Sequence, residues 1–377
     1  MKKTLLIAAL SMAATPAFAS KARLSALGGA DHVSDAQRTF ARPYEATMHG
    51  EYATVEFGTA NGTPRAEGGF VRQISEGNYL GFYVNRESTA LGGAIADSGI
   101  NADAFAMDNS FDIFYGSRAG EIAWGANLFY LTSDKKAAYE VTGPAAMVKS
   151  GKSNDIALAL GAAAGAWEAD ATIGLGGKAS YVADTFTGPA GAVADDEVAV
   201  KNGTNIDLRG AYKMDNMHYF VRYGMTGSKV SVAGTDGNKQ DNTDIELGLI
   251  NTTKAEGAEF FYGVSYLMST DKVTPAGGGA SVKTETNSLP LIVGVEADAA
   301  SWMVLRGSVR HVLPFLSNTK VTNGKTDTLP SNTTIAAGAG FKLNKFTIDT
   351  LFAAASSGSV GTDSPNFLTN ASLTYNF

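Results

Sequence analysis

Cysteine is absent from all 377 residues, which excludes disulfide scaffolds, thiolate catalysis and cysteine-ligated zinc or iron–sulfur sites. Long apolar runs are missing beyond the N-terminal leader. The longest, from Ile156 to Trp167, has 12 residues and is mostly Ala and Gly, whereas a helix needs roughly 20 to cross a bilayer. An excess of positive charge is also absent. The formal net charge of -7 argues against a nucleic-acid partner, whose affinity rests on Lys and Arg facing phosphates. Charged residues are sparse at 18%, yet 44% hydrophobic and 10% aromatic residues are too many for a disordered chain.

Signatures of chemistry are equally scarce. His32, His49, His218 and His311 have no metal-ligand spacing, and no Gly-x-Ser-x-Gly elbow is present. The stretch Thr172 to Ala179 misses a phosphate loop at both ends, lacking the first Gly and the closing Ser or Thr. Asp236 to Asp241 carries Gln240 at the fifth position, where a calcium loop has Asp or Asn, and the required Gly does not follow. No catalytic residue, cofactor or metal is expected, and the chain does not read as an enzyme.

What is present begins with a leader. Lys2 and Lys3, the apolar Leu5 to Met12, and the small-residue site Ala17-Phe18-Ala19 before Ser20 have the three-part layout of a secretory signal peptide. Residues 1–19 are expected to be removed on export. Thereafter, segments of about ten residues alternate in polarity. Met217, Tyr219, Val221, Tyr223 and Met225 share one face, with His218, Phe220 and Arg222 on the other. Leu291, Val293 and Val295 alternate with Gly294 and Glu296, and Phe260, Tyr262 and Val264 with Glu259 and Gly263. Period two is the pleat of a strand, and its recurrence along a whole exported chain is the pattern of a transmembrane β-barrel.

Seven short turns, near 75–78, 118–121, 165–166, 213–216, 251–257, 298–301 and 343–345, alternate with longer polar stretches. The long stretches lie at 58–65, 88–109, 133–153, 184–202, 227–241, 270–285, 314–331 and 357–366. This predicts an all-β, antiparallel up-and-down barrel of about 16 strands, 14 and 18 remaining open, with short periplasmic turns and long outer loops. Residues 20–44 are expected to be a periplasmic N-terminal arm and 45–377 the barrel. The last strand alternates onto Tyr375 and Phe377, an expected assembly signal read by the barrel-assembly machinery.

Parity assigns Asp112, Arg118, Glu168, Asp170, Asp207, Arg209, Arg222, Glu246, Glu259, Glu296, Arg306 and Arg310 to the pore lining, with Asp155, Lys178 and Asp349 on the same face. Ionisable side chains facing a bore are tolerated where they meet water or one another. From Ile156 to Ser180, 14 of 25 residues are Ala or Gly, and small residues let another backbone approach. Ile156, Leu158, Leu160 and Ala162 on the outer face are expected at an oligomer interface. Ala157, Ala159 and Gly161 on the inner face are expected against a segment folded into the pore.

These features resemble the bacterial outer-membrane porin class over nearly the whole mature chain. The stretches Met1 to Leu6, Ser20 to Gly29 and Pro43-Tyr44 resemble the porin-like major outer-membrane proteins of predatory bacteria. That resemblance implies a homo-oligomer, a pentamer whose barrels enclose lipid in a central chamber. Arg23 to Gly29 followed by Arg42-Pro43 also resembles the N-terminal segment of FadL-type channels for hydrophobic compounds, but departs where that pattern continues as Asn-Pro-Ala. The expected function is a diffusion channel for small polar solutes and ions in the cell outer membrane, with outer-membrane lipids as partners. A coat or adhesin barrel with a plugged lumen and a FadL-type channel are the alternatives.

Overall fold

The computed structural model describes residues 20–377 except 61–62, 99, 101–104, 137–138, 141–146, 184–185, 189–190, 194–195, 314–317, 323, 325, 329–331 and 358–369. Residues Ala17 and Ala19 of the cleavage site lie outside the described residues.

Sixteen antiparallel strands form the wall. The first eight are β1 (Tyr52–Ala60), β2 (Thr63–Ser75), β3 (Asn78–Val84), β4 (Ser110–Ala119), β5 (Ile122–Lys135), β6 (Met147–Ala164), β7 (Trp167–Ala183) and β8 (Glu197–Asn202 continuing as Asn205–Met214). The second eight are β9 (Met217–Val232), β10 (Thr235–Ala255), β11 (Ala258–Thr274), β12 (Val282–Ser288 continuing as Pro290–Ala300), β13 (Met303–Val312), β14 (Asn332–Leu343), β15 (Phe346–Ser357) and β16 (Asn370–Asn376). Each pairs with its sequence neighbour, and β1 pairs with β16 from Tyr52↔Asn376 to Gly58↔Asn370. The ring is therefore closed and has no open sheet edge, the condition for a strand structure to satisfy its backbone in lipid. The strand carrying the expected assembly signal is the one that closes it.

All seven short turns occur where the pattern places them. Several turn on a residue in the left-handed region, as at Gly165 (φ 57°) and Asn344 (φ 58°), which a two-residue hairpin of matching twist requires. The outer face is apolar: Tyr262 and Val293 are 57% and 58% exposed. The three tryptophans, Trp124, Trp167 and Trp302, are all exposed and all stand at or near short turns, the position of an aromatic interface girdle.

Three expectations are corrected. The polar stretch 227–241 is a strand hairpin, since β9 and β10 pair out to Val232↔Thr235; polar alternation continues the ladder past the apolar belt. The 58–65 stretch is likewise drawn into β1 and β2, which pair out to Ala60↔Thr63. Lys178 does not share the inner face. A register shift between Ile156 and Ala157 inserts an extra residue into β7 near Gly176, so parity inverts beyond it. Gly177 then faces in beside Asp155, while Lys178 pairs with Glu197 at 2.6 Å.

The larger correction concerns residues 20–44, expected as an arm outside the wall. They continue to residue 49 as a folded plug inside the bore. Ser20 caps helix α1 (Lys21–Ala26) by accepting from the Arg23 amide, and the chain reverses at Gly28 and Gly29, both at φ 64°. Asp35 caps a 3-10 turn at Ala36–Phe40, and Pro43 opens another at Pro43–Thr47. Glycines on the wall make room for it. A Cβ on Gly125 would lie 2.5 Å from the Pro43 carbonyl carbon, and one on Gly161 would lie 2.8 Å from the Tyr44 ring. From the opposite end, helix α2 (Thr89–Asp97) of the 88–109 loop folds inward. Its Leu91 and Ile95 are fully buried, in one apolar cluster with Phe105, Tyr181, Val198 and Val200.

Candidate functional site

The bore is the site, and ion pairs around its circumference hold the plug in it. Asp31 is the hub. Its carboxylate accepts from Arg209 Nη2 at 2.7 Å, Arg42 Nη2 at 2.7 Å and lies 2.8 Å from His218 Nε2. Arg209 also donates to Asp170 and Glu168, each at 2.9 Å, and Lys213 meets Glu168 at 2.6 Å. Burial by itself would raise the Asp31 carboxyl, but His218, Arg42 and Arg209 hold it well below the usual carboxylate range.

A second latch forms opposite. Arg23 bridges Asp35 (3.0 Å) and Glu296 (2.9 Å), and Arg306 joins Glu296 (2.6 Å) to Asp349 (2.5 Å). A third lies on β1 to β3. Lys21 pairs with Glu67 at 2.6 Å, and Gln37 bonds both Glu56 and Tyr83. The guanidiniums of Arg23, Arg42, Arg209 and Arg306 are buried, and each has found a carboxylate, the condition for burying it. Lys21 and Lys213 stay half exposed.

Of the twelve expected pore residues, Glu168, Asp170, Arg209, Glu296 and Arg306 belong to these latches. Asp112 is engaged by Arg86 in a two-pronged pair at 2.8 and 2.9 Å and by Asn127 at 2.9 Å. Glu259 faces the plug's His32 at 3.7 Å. Asp207, Arg222, Glu246 and Arg310 lie above the plug, facing open space. Arg118 stands exposed at a short turn, its Nε 3.4 Å from the Gly120 carbonyl, away from the others. The residues missed by sequence reading are those of the plug itself: Arg23, Asp31, Arg38, Arg42 and Glu45. Their partners lie up to 273 positions away, so no local spacing could reveal them.

Space remains on both faces of the plug. Above it, a chamber of about 740 Å³ lies between the plug, α2 and β6 to β10. A smaller cavity of about 110 Å³ adjoins Gly28 to Asp31 and shares Arg222 with the chamber. On the short-turn side, a cavity of about 370 Å³ is lined by His32, Lys213, Asn216, Lys254 and Glu259. Between the two sides lies an apolar contact of Leu27, Ala30 and Val33 with Ile250 and Phe261, flanked by Leu24, Phe220 and Ile292.

A closed, plugged 16-strand barrel with an apolar exterior and a charged interior is the class of structure defined here. No protein-family model and no curated protein matches the chain. Solved structures similar to it include OmpT, an outer membrane protein of Vibrio cholerae, at 13% identity over 87% of this chain and 96% of that one (TM-score 0.37). The P. putida toluene transporter TodX is 11% identical over 95% and 99% (TM-score 0.42). A porin is 14% identical over 87% and 99% (TM-score 0.36).

Proposed function

We propose that the chain is an outer-membrane channel for passive diffusion of small polar solutes and ions, narrowed by its N-terminal plug. The observation that carries this reading is the pair of cavities on opposite faces of the plug, each bordered by charged side chains and separated by one apolar contact around the Gly28-Gly29 turn. A barrel of this strand number cannot be filled by wall side chains alone, and here the plug takes up part of the remainder. No chemical step is involved. The free cross-section sets the size limit, and the fixed charges set the ion preference.

In this reading residues 1–19 direct export, and Tyr375 and Phe377 serve assembly by the barrel-assembly machinery. Copies of the chain associate through the Ile156 to Ala162 face, as a pentamer around lipid, in keeping with the resemblance to PopA-type porins of predatory bacteria. A second reading, a FadL-type route for hydrophobic compounds, is favoured by the fold of residues 20–49 inside the bore, the segment that carries the FadL-type resemblance.

Asp31→Asn tests the channel. It leaves Arg209 and Arg42 facing an uncharged hub, and breaking a buried pair costs about 3–5 kcal/mol. The plug should loosen and single-channel conductance in planar bilayers should rise severalfold over wild type. Bilayers that stay silent with both proteins would favour the plugged coat barrel instead.

A further inference from the structure

Within the plug, Arg38 lacks the carboxylate partner that the latch cations Lys21, Arg23 and Arg42 have. Arg38 donates from Nη2 to the Gly29 and Ala30 carbonyls at 2.8 and 3.1 Å. Its Nε is buried without a hydrogen-bond partner. Among the described residues, no carboxylate comes within ion-pair distance of it. Burial and the neighbouring Arg42 and Arg222 cations bring its pKa down to about 10, against the opposing pull of Asp31 and Glu45. A buried guanidinium without a carboxylate is costly, and this one lines the 740 Å³ chamber.

The other charges around that chamber are satisfied. Asp244 accepts from Ser269 at 2.5 Å, Asp155 from Ser88 and from Asn202 at 3.1 Å, and Arg86 is paired with Asp112. Arg222 is less fully held. It reaches Asp207 through one nitrogen at 3.4 Å, with 41% of its side chain exposed. Between these groups the lining is mixed, with the apolar side chains of Leu24, Phe40, Phe129, Ala157 and Ile206 beside Thr172, Asn205 and Thr226. The volume falls within the range of small-molecule pockets.

We propose that the chamber is a binding site for a small organic carboxylate with an apolar body. The carboxylate supplies the partner Arg38 lacks, Arg222 is the second cation, and the body rests on the apolar lining. Asp155, Asp207 and Asp244 disfavour a dianion such as phosphate, because a second negative charge would meet theirs without compensation. Binding at Arg38 also competes with the Gly29 and Ala30 carbonyls for the guanidinium, which links occupancy to the turn that closes the path.

The test is titration calorimetry of the full-length protein in detergent with sodium benzoate, and with benzyl alcohol as the uncharged isostere. Benzoate should bind saturably, at least tenfold more tightly than benzyl alcohol. Arg38→Gln should weaken it at least tenfold and Arg222→Gln severalfold. If Arg38→Gln does not fold, Arg222→Gln decides, since its one weak contact is not structural. Absence of saturable benzoate binding, equal affinity for benzyl alcohol, or variants within twofold of wild type would overturn the site. Because binding is measured at equilibrium, the outcome is independent of whether the bore conducts.

Discussion

At the scale of single residues, Asp31 and His32 of the plug both cost stability as pH falls, but in different windows and for different reasons. Asp31 has a depressed carboxyl. Its contribution is complete above the unfolded value near 3.9 and is lost only as pH falls through the folded value. His32 behaves differently. Neither ring nitrogen has a hydrogen-bond partner, and the ring packs 4.7 Å from Phe261 and 6.5 Å from His218. Burial pushes its pKa below 6.5, with His218 adding to the shift and Glu259 and Asp31 opposing it. The folded protein therefore resists charging a group that the unfolded chain protonates readily. Stability should fall as pH drops from about 6.5 toward the folded-state value, a window in which Asp31 is still ionised. The melting temperature of wild type should decline between pH 6.5 and 5, and that of His32→Phe should decline less. Superimposable profiles would remove His32 from the account. Neither environment was legible in the sequence, where both residues stand in a short polar stretch with no periodicity.

At the scale of elements, the Ala- and Gly-rich hairpin β6–β7 has two faces with separate reasons for being small. Inward, Ala159 and Ala163 are buried and Gly161 lies against Tyr44, so the expectation of a segment folded against this face is met, by the plug. The same logic governs Gly125, where any side chain would strike the Pro43 backbone. Gly125→Val should displace the Pro43–Thr47 turn while the wall stays paired. Limited proteolysis should then cut the plug severalfold faster with heat-modifiability unchanged, whereas wild-type cleavage rates would mean the turn moves without cost. Outward, Leu160 and Ala162 are exposed on the outer face of the wall. If this face forms the proposed oligomer, Ala162→Trp should shift it toward monomer on native gels, and an unaltered oligomer would place Ala162 outside any interface. The bulge in β7 shows where element reading fails. Parity is a count, and one extra residue inverts everything beyond it.

At the scale of the whole molecule, fixed charge is the quantity that survives the corrections. Lys178 and Arg118 are set aside, and Glu56, Glu67, Asp244, Arg86 and Lys213 join the wall residues that face the bore. The acids there still outnumber the bases, and the plug's Asp31, Asp35 and Glu45 against Lys21, Arg23, Arg38 and Arg42 do not reverse this. Negative charge remains in excess, and salt screens its field over about 10 Å at 0.1 M. Reversal potentials in a salt gradient should show weak cation preference that fades as salt rises. Anion preference would mean that Arg38 and Arg222 dominate the narrowest point instead.

The sequence by itself determined the wall. Alternation at period two, turn residues at regular intervals and an aromatic final strand specify an up-and-down barrel of about 16 strands and most of its inner and outer faces, because each depends on residues adjacent in the chain or in neighbouring strands. Tertiary structure alone decided what occupies the bore. The plug has no long periodic face. Its place in the bore is set by partners on strands scattered along the chain, charged ones such as Glu296 for Arg23 and Arg209 for Asp31, and apolar ones such as Phe261 for Leu27. The inward fold of α2 is of the same kind, since Leu91 and Ile95 find their apolar partners on β7, β8 and β9 only once the barrel has closed around them. Pairing across a closed ring is a long-range property, and local patterning carries no record of it.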